Sequence, residues 1–187
     1  RVLRTVVSHL EAINLNKTDL DVKGVAFEQF MDGFFKGDFG QYFTPRPIIE
    51  FCVNMMKPEQ NWDVLDPSCG SGGFLLHALD YMRKQAGDYY EKGTVDYFNY
   101  WHDFAAKHLY GIEINDFAVT VAKTALWIAE SQMMKETEAI VHMHLEFLPL
   151  TSYANIVEGN ALRLDWETVV SKNKLNYIMG NPPFVGA

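Results

Sequence analysis

The chain has 187 residues, 48% of them hydrophobic and 21% charged, with a formal net charge of −8. Such a length and apolar content suit one globular domain with a sizeable core. The acidity argues against a segment that grips nucleic acid by itself, because phosphate contacts need clustered Lys and Arg. No apolar run reaches the length of a membrane span, no signal-peptide pattern opens the chain, and Cys52 and Cys69 make no disulfide framework, which together fit a reducing cytoplasm.

Acids and bases balance as far as Pro47, and the acid excess lies beyond it. Val6, Leu10 and Ile13, then Val25, Phe27, Phe30, Met31 and Phe34, recur at helical spacing on either side of the polar stretch 14–21. We read this region as a packing layer or a connection to an upstream helical domain. Arg1 in place of methionine leads us to expect a further N-terminal part. Residues 37–47 form a loop in which Thr44 before Pro45 predicts a helix start, with the hydroxyl as N-cap and proline at N1. That helix should bury Ile48, Phe51, Cys52, Met55 and Met56 and stop near Pro58. Tyr42 and Phe43, taken alone, read as core or hinge aromatics.

Val64, Leu65 and Asp66 predict a short buried strand, and Pro67-Ser68-Cys69-Gly70-Ser71-Gly72-Gly73 the turn into a helix running from Phe74 past Leu79. A glycine-rich turn between strand and helix lets a ligand approach the backbone closely. There is no Gly-Lys-Ser/Thr to cradle a phosphate, and Leu75 stands where a dinucleotide fingerprint wants glycine. Asp66 ahead of the turn would repel a pyrophosphate and suits a ligand bearing an ammonium or sulfonium group. Residues 81–107, rich in aromatics such as Tyr89, Tyr97 and Trp101, read as a helical insertion with a satellite core, since basic residues are not interleaved with the rings.

Leu109 to Ile114 predict the second strand, with Glu113 at its tip. An acid there is placed either to bind ribose hydroxyls or to sit at a helix N-terminus, the latter role already filled by Asp116. Val121, Ala122, Ala125, Leu126 and Ala129 predict a helix from Ala118 to Glu130. His142 and His144 share a parity that would put them on one strand face; without a nearby Cys they read as solvated histidines and no metal site is assigned. Asn155-Ile156-Val157-Glu158 predict the third strand, Gly159-Asn160-Ala161 its turn, and Leu162, Leu164, Trp166, Val169 and Val170 another helical stretch.

The last apolar run, Leu175, Tyr177, Ile178 and Met179, is closed by Asn181-Pro182-Pro183-Phe184. Two prolines end a strand abruptly, because proline has no ladder donor and restricts the residue before it. Asn181 and Phe184 are thereby presented at a strand's C-terminal end, the edge of an open α/β sheet where ligands bind. A carboxamide oxygen, a rigid Pro182 carbonyl and an aromatic face suit a planar amine: two acceptors for its N–H groups and a surface for its ring.

These motifs in this order closely resemble the amino-group DNA methyltransferases, specifically the adenine-N6 enzymes of bacterial restriction–modification systems, from about Phe27 onward. Up to Asp116 the wording is similar to the modification subunit of type I systems; from Phe117 it is closer to long single-chain enzymes that carry their own recognition domain. The resemblance implies an α/β, Rossmann-like fold for residues 37–187, with residues 1–36 an N-terminal helical segment. It implies S-adenosyl-L-methionine at the C-terminal edge of the sheet, with Tyr42, Phe43 and Thr44 closing over it. Asp66, Pro67 and the backbone of Cys69, Gly70, Ser71 and Gly72 would hold its methionine part. Glu113 would bind the ribose hydroxyls, Ile114 would pack on the adenine ring, and Asn160 with Ala161 would receive the adenine amine. Asn181, Pro182, Pro183 and Phe184 would handle the target base. The implied partners are DNA, held largely by regions outside this chain, and specificity and restriction subunits or fused domains, with no membrane.

The same Asn-Pro-Pro-aromatic end occurs in methyltransferases of ribosomal RNA bases and of a protein glutamine amide, and a non-catalytic remnant that still binds the cofactor is a further alternative. The aromatic-Thr-Pro loop favours DNA. The usual sheet order in such folds, 3-2-1-4-5-7-6, makes the strand near Tyr177 an edge in this segment. With the later strands and a target-recognition region absent, the segment alone is expected not to methylate DNA.

Overall fold

A computed structural model describes residues 44–59, 62–89, 108–142 and 155–183. The expected N-terminal helical segment, Tyr42 and Phe43, the aromatic stretch beyond Tyr89, His144 and Phe184 lie outside the described residues. The chain gives helix α1 (Arg46–Met56), strand β1 (Asp63–Asp66), α2 (Gly73–Tyr89), β2 (Leu109–Glu113), α3 (Asp116–Val141), β3 (Ile156–Glu158) and β4 (Leu175–Ile178).

Every strand pairing is parallel, and the order across the sheet is β3-β2-β1-β4, the expected one. The register sets Leu65 opposite Tyr110 and Ile178, and Gly111 opposite Ile156. Parallel strands all end at one edge, so Asp66, Glu113 and the residues after Ile178 share a rim.

Alternation along β1 divides the core. Val64 joins Leu75, Ala78 and Met82 of α2 and Ala122 and Leu126 of α3, while Leu65 faces the other way with Ile112 and Val170. At the opposite end of the sheet, buried Asp63 pairs with His108 Nδ1 and donates its backbone N–H to Asn176 Oδ1 at 2.9 Å. Trp62 stacks on Tyr177, with ring centroids 4.7 Å apart.

Five expectations are corrected. Helix α1 buries Ile49 and Val53, leaving Ile48, Phe51 and Met55 between 52% and 69% exposed. The apolar residues run almost all the way round this helix, so spacing alone selects the wrong stripe; contact with Phe74 decides. Its N-cap is Pro45, with no side-chain cap, so Thr44 is free for another task. In α3 the cap is Asn115, whose Oδ1 accepts the Ala118 N–H at 3.0 Å, and Asp116 is the first helical residue. The helix continues past Glu130, and His142 is its left-handed C-cap, not a strand residue. After β3 only a 3₁₀ turn forms (Trp166–Thr168), because the Asn160 and Asp165 side chains accept the backbone N–H groups of Leu162 and Glu167.

Gly111 marks the tightest approach in the sheet: a Cβ there would lie 2.8 Å from both Cys69 Sγ and Ile156 Cδ1. Gly111→Ala is expected to lower the stability of the full-length protein by about 1–3 kcal/mol, read as a shifted denaturant midpoint. An unchanged midpoint would mean that the Cys69 turn is looser than it is drawn here.

Candidate active site

The rim is assembled from turns that bond to one another as well as within themselves. After β1, Asp66 Oδ1 accepts the Ser68 N–H at 3.0 Å, and the Cys69 N–H donates to the Ile112 carbonyl of β2 at 3.0 Å. Gly70 and Gly72 take left-handed backbone angles, φ +53° and +90°, open to glycine at little cost. The Gly70 N–H donates to Glu113 Oε2 and the Asn115 N–H to Glu113 Oε1, both at 2.9 Å. Buried Glu113 therefore staples the turn after β1 to the turn after β2. The Gly159 N–H donates to the Glu113 carbonyl at 2.8 Å, which adds the turn after β3.

From the other side comes the end of β4. The Met179 N–H donates to the Leu65 carbonyl at 3.0 Å, and Gly180 then passes directly over Asp66. A Cβ on Gly180 would overlap Asp66 Oδ1, lie 3.1 Å from its Cγ and 3.4 Å from Ser68 Oγ. Asn181, Pro182 and Pro183 follow, exposed. The Asn181 Nδ2 amide donates to Thr44 Oγ1 at 3.2 Å. The carboxamide and the glycine-rich turn thus occupy the same rim, one residue from contact.

Electrostatics distinguish the acids and the thiol. Burial pushes Asp66 up to about 7, the Glu113 charge adds to the rise, and the bond from the Ser68 backbone N–H opposes it. Burial, with Asp66 and Glu113 nearby, raises the Cys69 thiol far above its ordinary range, so it stays neutral and serves as packing. Asp66 Oδ2 and Ser68 Oγ are buried without a hydrogen-bond partner. Two acids and two unsatisfied oxygens beside a glycine-rich turn make a place for a cationic, hydrogen-bonding ligand.

Residues 50–187 match the family described as MmeI, DNA-methyltransferase domain. The chain belongs to that family. This MmeI-type domain is similar to DNA methyltransferase A of Bacillus subtilis (strain 168), 36% identical over 127 residues that make up 65% of this chain and 14% of that protein. It is similar to the type II restriction enzyme and methyltransferase RM.BcgI of Heyndrickxia coagulans, 27% identical over 188 residues, 97% of this chain and 25% of that protein. The chain thus spans only 14% and 25% of the length of these two relatives. Among solved structures, the type IIL restriction-modification enzyme MmeI in complex with DNA superimposes with a TM-score of 0.56 at 24% identity, over 98% of this chain and 22% of that one. That likeness concerns the α/β methyltransferase fold.

The structure brings Thr44, which lies just ahead of the matched residues, Asp66, Cys69 to Gly72, Glu113 and Asn181 to one rim, while Tyr42, Phe43 and Phe184 are outside the described residues. Pro67 and Ser71 lie half-buried in the turn after β1. Ile114, 63% exposed directly after Glu113, is an apolar side chain placed to cover a flat ring. Asn160 keeps its Oδ1 on the Leu162 N–H at 2.9 Å, and Ala161 gives its carbonyl to Trp166 Nε1 at 2.8 Å, so both are already engaged in holding their own turn. Two residues escaped the sequence reading. Ser68 was passed over inside the glycine-rich turn; Gly180, directly before Asn181, carried the one available signal, a glycine at a strand end marking a close approach.

Proposed function

We propose that the protein transfers a methyl group from S-adenosyl-L-methionine to the exocyclic amine, N6, of adenine in DNA, as part of a restriction–modification system. The observation that carries this reading is Asn181 at the end of β4, held beside the Asp66–Gly72 turn with its amide nitrogen occupied by Thr44. The residues present fit the cofactor. The acidic pair Asp66 and Glu113 favours a cation, and Asp66, only 1% exposed, acts on it chiefly through its charge. Backbone of the Cys69–Gly72 turn supplies the contact atoms, Glu113 stands at the tip of β2 where the ribose hydroxyls would meet it, and Ile114 offers an apolar face. S-adenosyl-L-methionine supplies a methyl already activated on a sulfonium.

What the chain adds is placement. The lone pair of an exocyclic adenine amine is delocalised into its ring. Asn181 Oδ1 and the Pro182 carbonyl accept its two N–H groups, draw the nitrogen toward tetrahedral geometry and free the lone pair for in-line attack. The base must leave the duplex at a cost of a few kcal/mol, and stacking on Phe184 returns part of it. Cytosine C5 chemistry would need a reactive thiolate; Cys69 is buried and neutral, and no Pro-Cys pair occurs. With a net charge of −8 on this segment, the basic grip on DNA falls to other regions or subunits, such as specificity and restriction subunits or fused domains. Such a protein works in the cytoplasm, with its DNA.

The test is transfer of labelled methyl by the full-length protein, with product nucleosides identified. N6-methyladenine in DNA is the expected product. Label in RNA or in a protein glutamine would replace this reading, and cofactor binding without transfer to any acceptor would reduce the protein to a binding remnant.

The Asp66 ionisation gives a pH prediction. In the free protein Asp66 takes up its proton near pH 7, and a bound cation favours the carboxylate. Cofactor affinity should therefore be flat above about pH 7 and weaken as pH falls, by up to about tenfold between pH 8 and pH 6. Asp66→Asn should remove the slope. A slope that survives the substitution would assign the titration to another group.

A further inference from the structure

We propose that Thr44 is a positioning residue for methyl transfer: its hydroxyl accepts the Asn181 Nδ2 hydrogen and so keeps Asn181 Oδ1 turned toward the target amine. The inference rests on the reading of Asn181 given above and goes beyond closure over a cofactor, the role that resemblance gives Thr44.

A carboxamide is nearly symmetric in shape but opposite in chemistry at its two ends. Rotated by half a turn, Asn181 would point two N–H donors at an amine that also offers N–H donors, and the contact would become repulsive. An exposed asparagine after a strand has no packing to choose between these orientations. One fixed acceptor on the nitrogen side makes the choice: that nitrogen donates to Thr44 Oγ1 at 3.2 Å, from a residue 137 positions away.

Both partners are anchored. Thr44 precedes Pro45, which restricts it to extended backbone. The Pro45 carbonyl accepts the N–H groups of Ile48 and Ile49 at 2.9 and 3.2 Å, fixing the threonine to the first turn of α1. Ile49 in turn meets Gly73 at the start of α2, where an added Cβ would stand 3.2 Å from its Cδ1. On the other side, Asn181 follows Gly180, seated on Asp66 and Ser68. The lack of a side-chain cap on α1 accords with this, because the threonine oxygen is turned to Asn181 rather than to its own helix.

The experiment compares Thr44→Val, which keeps the shape and loses the hydroxyl, with Thr44→Ser, which keeps the hydroxyl. Each is made in the full-length protein and measured both for single-turnover methyl transfer to DNA at saturating cofactor and for S-adenosyl-L-methionine affinity at equilibrium. The expected result for Thr44→Val is about a tenfold slower transfer with cofactor affinity within about twofold, and for Thr44→Ser a rate close to the parent. In an Asn181→Ala background Thr44→Val should slow transfer no further, because the group it orients is gone. The inference is overturned if Thr44→Val weakens the cofactor and leaves the saturated rate intact, if Thr44→Ser is as slow as Thr44→Val, or if the two losses simply add. Asn181→Ala separates the layers. If it leaves transfer intact, the reading of Asn181 fails and this inference with it; if it abolishes transfer while Thr44→Val changes nothing, only the inference fails.

Discussion

Full-length protein carrying Asn181→Ala is expected to transfer methyl at least about a hundredfold more slowly than the parent, with its affinity for S-adenosyl-L-methionine unchanged. The substitution removes one of two acceptors aimed at the amine and leaves the Pro182 carbonyl to hold the base alone. It should spare cofactor binding, because the loop that meets the cofactor is bonded to Glu113 and Ile112 and not to Asn181. Folding should also be spared, since the side chain is exposed and its bond to Thr44 lies at the surface. Single-turnover transfer and equilibrium cofactor binding, measured on the same preparation, give the answer. A loss confined to cofactor affinity would move Asn181 out of the chemistry.

Gly180→Ala should do more. Its new Cβ falls on Asp66 Oδ1, and Asp66 cannot retreat: it is 1% exposed and bonded to the Ser68 N–H. Either the end of β4 lifts away, carrying Asn181 with it, or the turn after β1 is pushed out of shape. Transfer is expected to fall at least about a hundredfold, cofactor affinity about tenfold or more, and stability by about 1–3 kcal/mol, as overpacking at a closed site commonly costs. The joint loss distinguishes this variant from Asn181→Ala, in which cofactor binding survives. A Gly180→Ala protein that both binds cofactor and transfers methyl normally would show that the two sides of the rim are not in contact, and would remove the geometric basis of the proposed reaction.

Most of the scaffold could be read in advance because its signals are local. Val64-Leu65-Asp66 before a glycine-rich turn, Ile112 and Glu113 before a capped helix, and an apolar run stopped by two prolines each specify strand and exit without reference to the rest. Failures came where two local answers compete. Asn115 and Asp116 are both competent caps, and only the fold shows which side chain reaches Ala118. On α1 the stripes through Ile48 and Ile49 are equally apolar, and contact with Phe74 and Gly73 selects the second. The polar residues after Glu130 seemed to end α3, yet nothing before His142 breaks a helix. Within the site, Ser68 and Gly180 stayed hidden because their role exists only once β1 and β4 lie side by side, a relation that no stretch of either one contains.

The pairing of β1 with β4 has a consequence for the order in which the rim is assembled. Asp63 bonds to Asn176 across 113 positions of chain, so the central strand leaves the ribosome long before the neighbour that carries the carboxamide. Contacts of such range are slow to form and come late. The exits of β1, β2 and β3 are bonded to one another without β4, so that part of the rim can exist before Asn181 arrives, and under the proposed function a methyl donor present during synthesis would stabilise the half-built sheet by mass action. The last strand to dock is the one that brings Asn181 to the rim.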